Sequence, residues 1–218
     1  LLRAAYRYLR QLRFRYSQDY VIETLAGNPH MAIRVIRLFH ARFDPDLAGD
    51  RTETVQNIRD EIATGLERVT NLDEDRILFA FVNLIESMLR TSYFQGHHHE
   101  QPARLSFKID CSAITRMPRP RPMAEIFVYS SRVEAIHLRG GKVARGGLRW
   151  SDRPEDFRTE VLGLVKAQIA KNAVIIPVGS KGGFIARRLS ELEPDERGDE
   201  VRSCYQTFIR ALLDLTEQ

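Results

Sequence analysis

The chain has 218 residues, with 33 Lys plus Arg against 29 Asp plus Glu for a net charge of +4, 43% apolar residues and 28% charged ones. That balance excludes a disordered or collagen-like chain, because there is ample apolar surface to bury and the 13 Gly and 9 Pro follow no period. The length suits one large domain or two small ones, and no apolar run approaches the roughly 20 residues that cross a bilayer, so no membrane partner is expected.

The opening Leu1-Leu2-Arg3 carries neither an initiator Met nor a signal-peptide pattern. Arg3, Arg7, Arg10, Arg13 and Arg15 follow, with no acid among the first sixteen residues. Such a run is either a nucleic-acid or anionic-membrane patch or the solvated face of a helix. The chain has no zinc finger, RNP or other nucleic-acid signature, so we take it as a solvated face and expect no nucleic-acid partner.

Residues 1–96 are expected to be helical. Leu2, Ala5, Tyr6, Leu9, Leu12 and Tyr16 recur at helical spacing. Ser17 can cap a second helix that Gly27-Asn28-Pro29 stops. A third spans 29–43, beginning on Pro29 and ending before Asp44-Pro45. A fourth covers roughly 52–69. Asp73 can cap a fifth, in which Ile77, Leu78, Phe81, Val82, Leu84, Ile85, Met88 and Leu89 are apolar over most of the circumference, the pattern of a buried helix.

Residues 95–102 read as a linker. Its His97, His98 and His99 invite a metal reading, but adjacent positions point different ways and lack the i, i+4 spacing of ligands on one helix face. We read a solvated loop and assign no metal. Beyond it, 105–109 alternates as a strand, and 124–129 and 133–138 read as two strands of a hairpin through Ser130-Ser131-Arg132. Cys111 and Cys204 form no metal or redox spacing, and two lone thiols suggest a reducing compartment.

The stretch 140–183 holds most of the glycines and the one Trp, Trp150. Between its glycine clusters lies a helix with Asp152 as a cap and Pro154 in its first turn. At 100° per residue, Phe157, Val161 and Leu164 form a stripe that continues to Gln168 and Lys171, with Leu162, Val165 and Ile169 beside it. Lys166 lies on the far side and reads as solvated. A polar pair ending an apolar stripe needs partners. Either Lys171 caps its own helix, or Gln168 and Lys171 converge on an anion. A short buried strand is expected over 174–177. The turn Gly179-Ser180-Lys181-Gly182-Gly183 then lets a ligand approach the main chain closely, and it does not meet the phosphate-loop pattern. With the Arg145-Gly146-Gly147 turn, these residues suggest a cationic site.

Arg145-Gly146-Gly147-Leu148-Arg149, Gln168-Ile169-Ala170-Lys171-Asn172-Ala173 and Gly179-Ser180-Lys181-Gly182-Gly183 together resemble the substrate-binding domain of glutamate dehydrogenases. Trp150-Ser151-Asp152-Arg153 and Pro177-Val178-Gly179-Ser180-Lys181-Gly182-Gly183 look like the large, multidomain NAD-dependent bacterial type. The helical stretch, including Phe43-Asp44-Pro45 and Thr91-Ser92-Tyr93-Phe94-Gln95, is similar to the helical region before its catalytic domain. The resemblance implies a fold class of α+β or α/β. An all-helical region would occupy 1–96, and the N-terminal half of a substrate-binding domain 103–218.

The resemblance also implies roles. Lys181 matches the catalytic lysine that assists water attack on the iminium and polarises the 2-oxo group. Gln168 and Lys171 match residues holding the substrate α-carboxylate of L-glutamate or 2-oxoglutarate. Arg145, before Gly146 and Gly147, stands where smaller members carry Lys, and a planar fork is not a point charge; it can bind a carboxylate bidentately, and Lys142 is its less favoured substitute. No G-x-G-x-x-G occurs, so no Rossmann domain is expected in this chain, and NAD is expected to bind mainly to a domain outside it. The absent Met and the end inside a helical pattern that starts near Glu200 lead us to expect a fragment, inactive alone, of a cytoplasmic homo-oligomer. Rival readings are a basic helical interaction module and a non-enzymatic carboxylate-binding domain.

Overall fold

The helical signals become α1 (Leu2–Gln11), α2 (Gln18–Gly27), α3 (Pro29–Phe43), α4 (Arg51–Leu66) and α5 (Leu72–Ser87). The computed structural model describes residues 1–95, 104–141, 146–172 and 179–216, the side chains of 169–172 excepted. His97, His98 and His99, Lys142, Arg145 and the strand expected over 174–177 lie outside the described residues.

Local chemistry sets the helix ends. Ser17 Oγ accepts from the Tyr20 N–H at 3.2 Å, and Asp50 Oδ1 accepts from Thr52 N–H at 2.7 Å. For α5 the cap is Asn71, whose Oδ1 accepts from Asp73 N–H at 2.9 Å, rather than the expected Asp73. Asp73, Glu74 and Asp75 instead fill the first turn, where the helix dipole favours anions. α1 is shorter than its periodicity suggests. Arg13 takes a left-handed φ of 62°, which stops the helix before Leu12 and Tyr16 can continue the stripe. α3 packs on α2, α4 and α5, around Met31, Leu38, Phe39, Ile77, Leu78, Phe81 and Leu84, all withdrawn from solvent.

α5 ends at Ser87, so Met88 and Leu89 do not extend it as expected. They open strand β1 (Met88–Thr91), with Met88 opposite Ile109 and Thr91 opposite Phe107. Strand pairing here overrides helical periodicity. The chain divides into two compact units between Ser87 and Met88, so the first strand of the second unit precedes the linker at which composition changes.

The second unit adds β2 (Leu105–Asp110), β3 (Ala124–Tyr129), β4 (Val133–Arg139), β5 (Gly146–Trp150), α6 (Phe157–Asn172), β6 (Ser180–Ala186) and α7 (Arg197–Thr216). Its sheet runs β1-β2-β3-β4-β6-β5, antiparallel throughout except for the parallel pair β5–β6. The fold is therefore α+β, with one parallel crossover among the described residues, β5-α6-β6. Two expected turns are strands. Gly146-Gly147 begins β5 and Lys181-Gly182-Gly183 lies inside β6. These glycines serve packing. A Cβ at Gly146 would run into the Ser180 carbonyl, one at Gly183 into Val161 of α6, and one at Gly182 into Leu148, with the Ile136 carbonyl 3.1 Å away.

Strand alternation sorts the two helices to opposite faces. Gly183 meets α6, whereas its neighbours Phe184 and Ala186 join Val128, Val133 and Ala135 under Cys204, Phe208, Ala211 and Leu215 of α7. α6 begins at Phe157, about a turn later than the Asp152 cap suggests; Ser151 Oγ instead accepts from Arg153 N–H at 3.1 Å.

Candidate functional site

In a parallel crossover the helix runs back between its two strands, so its last turn and both strand starts fall at one end of the unit. At that end stand Gly146 and Gly147 opening β5, Gln168 in α6, the backbone of Lys171 in the final turn of α6, and Lys181 as the second residue of β6. The Lys171 side chain and all of Arg145 and Lys142 lie outside the described residues.

Lys181 is half-buried and central in register, with Leu138 of β4 opposite it on one side and Gly147 of β5 on the other. Period-two alternation puts it on the same face as Gly183, the face that α6 covers. Gly147 is exposed, and a Cβ there would meet nothing within 4 Å among the described residues. The sheet edge beside Lys181 is thus bare backbone, where a small acid can come close. Gln168 is half-buried while Lys166 is exposed, which matches the division of the two positions in the periodicity. Only five of the 33 basic residues are lysines, and Lys142, Lys166, Lys171 and Lys181 all fall in this stretch. Elsewhere the chain uses arginine almost exclusively; here it uses the compact, strongly hydrated point charge.

Sequence reasoning missed the pair that docks α6. Arg158 forks onto Glu125 of β3, with Nη2 to Oε2 at 2.7 Å and Nη1 to Oε1, and the two side chains are 7% and 0% exposed. Glu125 lies in the same cross-strand row as Lys181, two strands away through Leu138. Arg158, Val161 and Val165 do form an i, i+3, i+7 stripe, which was the signal for Arg158. Nothing marked Glu125, because Ile126, Phe127 and Val128 are buried whichever face they point to, so the strand shows no alternation. Cys111 Sγ lies 3.9 Å from Glu125 Oε2, and burial followed by that carboxylate pushes its thiol pKa up.

The crossover does not fit a dinucleotide. Its turn from Trp150 into α6 contains no glycine and carries Asp152, Glu155 and Asp156, where a pyrophosphate would need glycines and an unopposed helix N-terminus. Among the described residues no group of three His, Cys, Asp or Glu side chains could hold a metal, and no helix is long and apolar enough to cross a membrane.

In chain order a helical unit is thus followed by a mixed sheet, with Lys166, Lys171 and Lys181 on its parallel crossover. Residues 61–218 match the bacterial NAD-glutamate dehydrogenase catalytic domain, and residues 1–45 match the glutamate dehydrogenase helical motif 3. The chain belongs to the bacterial NAD-glutamate dehydrogenase family. It is 49% identical to the NAD-specific glutamate dehydrogenase of Halomonas elongata, 50% to that of Pseudomonas aeruginosa and 47% to that of Mycobacterium tuberculosis, in each case over the whole of this chain. It spans 14% of the length of each of these relatives.

Proposed function

We propose that this chain supplies substrate-binding residues to an enzyme that converts L-glutamate, water and NAD to 2-oxoglutarate, ammonium and NADH. What supports this reading is that Gln168, the backbone of Lys171 and Lys181 fall at the same end of the crossover in a chain of this family. Glutamate brings two carboxylates, so its site should concentrate cations beside a surface that a small molecule can reach.

Each residue has a role in this reading. Gln168 and Lys171 hold the α-carboxylate. Lys181 donates to the developing 2-oxo oxygen and helps water attack the iminium carbon, the work of a positioned acid–base group. Gly147, which Gly146 seats against β6, leaves room for the substrate along the strand edge, and the fork of Arg145 takes a carboxylate bidentately. NAD supplies the hydride chemistry and is held by a part of the protein outside these residues. Two buried free thiols, Cys111 and Cys204, suit a reducing compartment such as the cytoplasm. We take the full-length protein to be a homo-oligomer, and this chain alone to be inactive.

The test is Lys181→Met in the full-length protein. Glutamate-dependent NADH formation should fall by about 100-fold to 10,000-fold with the melting temperature unchanged, the loss typical for a positioned acid–base group. Turnover close to wild type would remove Lys181 from the chemistry.

A further inference from the structure

The loop between β2 and β3, residues 111–123, carries three arginines that the substrate reading does not use. Arg119 and Arg121 alternate with Pro118, Pro120 and Pro122, and Arg116 stands two residues before them. Ile114, Met117 and Pro122 are buried, whereas all three arginines are exposed. Proline fixes φ at every second residue here, so buried anchors and a stiff backbone hold the arginines out in solvent. Among the described residues, none of the three side chains has a hydrogen-bond or ion-pair partner.

Strand register puts the loop at the Lys181 end of the sheet. Asp110, the last residue of β2, pairs with Ala124, Ala124 with Arg139, and Arg139 with Ser180 beside Lys181. Ala124 is thus two strands from Ser180, about 10 Å. Side chains set the face. Cys111 Sγ lies 3.9 Å from Glu125 Oε2, and Met117 Sδ lies 3.5 Å from Arg158 Nη2. Glu125 shares its cross-strand row with Lys181, and Arg158 belongs to the helix that covers that face. The loop therefore folds onto the same face and the same end as Lys181.

Charge is sorted between the two ends of this sheet. At the Lys181 end, the connecting stretches 111–123, 140–145 and 173–179 contain no Asp or Glu. At the other end, 151–156 and 187–196 contain seven. Glu125 is matched by Arg158, and Asp110 at the base of the loop offsets one of its three positive charges.

We propose that Arg116, Arg119 and Arg121 form a cationic rim that draws the substrate to the Lys181 site and favours 2-oxoglutarate, with two negative charges, over L-glutamate, with one. This rests on the substrate reading above. The rim acts through its field rather than by contact. Exposed cations of one sign raise the local concentration of an anion within about a Debye length, which exceeds about 10 Å below 0.1 M salt. Coulomb energy is linear in ligand charge, so the factor gained by a doubly charged acid is the square of that for a singly charged one.

The test combines Arg116→Gln, Arg119→Gln and Arg121→Gln in the full-length protein and compares KM in both directions of the reaction, with ammonium held fixed. At about 0.05 M ionic strength we expect KM to rise about fourfold for 2-oxoglutarate and about twofold for glutamate, with kcat unchanged. Both rises should disappear at about 0.5 M salt. Lysine at the same three positions keeps the charge and should leave both KM values as in wild type. KM values indifferent to the glutamine variant, an equal rise for the two acids, or a rise that persists in high salt overturns the proposal. So does an equal rise in the lysine variant, which would assign the effect to the shape of the loop. If wild type turns over glutamate, any of these results sinks the rim and leaves the substrate reading standing. A wild type without glutamate turnover sinks both.

Discussion

Glu200 shows how one side chain ties a helix to a hairpin. It is 9% exposed and receives the Arg132 guanidinium, with Nε to Oε1 at 3.0 Å. That hydrogen bond holds Glu200 below its ordinary pKa of 4.5, against burial, which pushes the other way. A carboxyl depressed by folding stabilises the native state above its unfolded pKa and loses that contribution as pH falls through the folded value. Glu200→Gln should therefore melt below wild type at pH 7, with the gap closing as pH drops below about 4.5. A gap that does not narrow at all between pH 7 and the acid limit of folding would point to packing instead. The effect should be modest, because Arg132 is 48% exposed and solvent screens it. Cys204 Sγ lies 3.5 Å from Glu200 Oε1, and burial with that carboxylate pushes its thiol up to about 12.

At the scale of elements, the docking of α6 on the sheet decides where Gln168 falls relative to Lys181. Val161 against Gly183 and Arg158 on Glu125 are its two fixed points. A buried ion pair gives little net stability over apolar replacements, yet removing one partner strands a buried charge. Arg158→Met alone should destabilise by about 3–5 kcal/mol, while Arg158→Met with Glu125→Met together should recover most of the loss. Urea midpoints of the two single variants and the double variant check this, and a double variant as unstable as the sum of the singles would contradict it. Helices were legible at this scale because their ends are decided within a few residues. Ser17 and Pro29 begin α2 and α3 as expected, through a side-chain cap and a preset φ. The first residues of β5 and β6, Gly146-Gly147 and Ser180 to Gly183, suggest turns in the sequence, because glycine is the ordinary mark of a turn. Here it marks strands pressed against the Ser180 carbonyl, Val161 and Leu148, contacts that come from distant parts of the chain.

Across the second unit, the sheet has a helix on each face and a cysteine in each layer. Cys111 lies beside the Glu125–Arg158 pair and Cys204 in α7, at 0% and 1% exposure. Neither thiol should react with a disulfide reagent at pH 8 in the folded protein, and both should react once denaturant unfolds it. Fast reaction of either one in native buffer would contradict the burial.

What the amino-acid order determined by itself was local or compositional: the Ser17 cap of α2 and the Pro29 start of α3, the β3–β4 hairpin, the absence of a dinucleotide fingerprint, and the gathering of lysines between 142 and 181. Tertiary structure alone decided that Met88 to Thr91 become a strand, that the glycine clusters lie in a sheet, that Arg158 finds Glu125, and that the 111–123 loop reaches the end of the sheet where Lys181 stands. A cap forms with neighbours a few bonds away, but a strand acquires its faces and partners only when residues far along the chain pair with it.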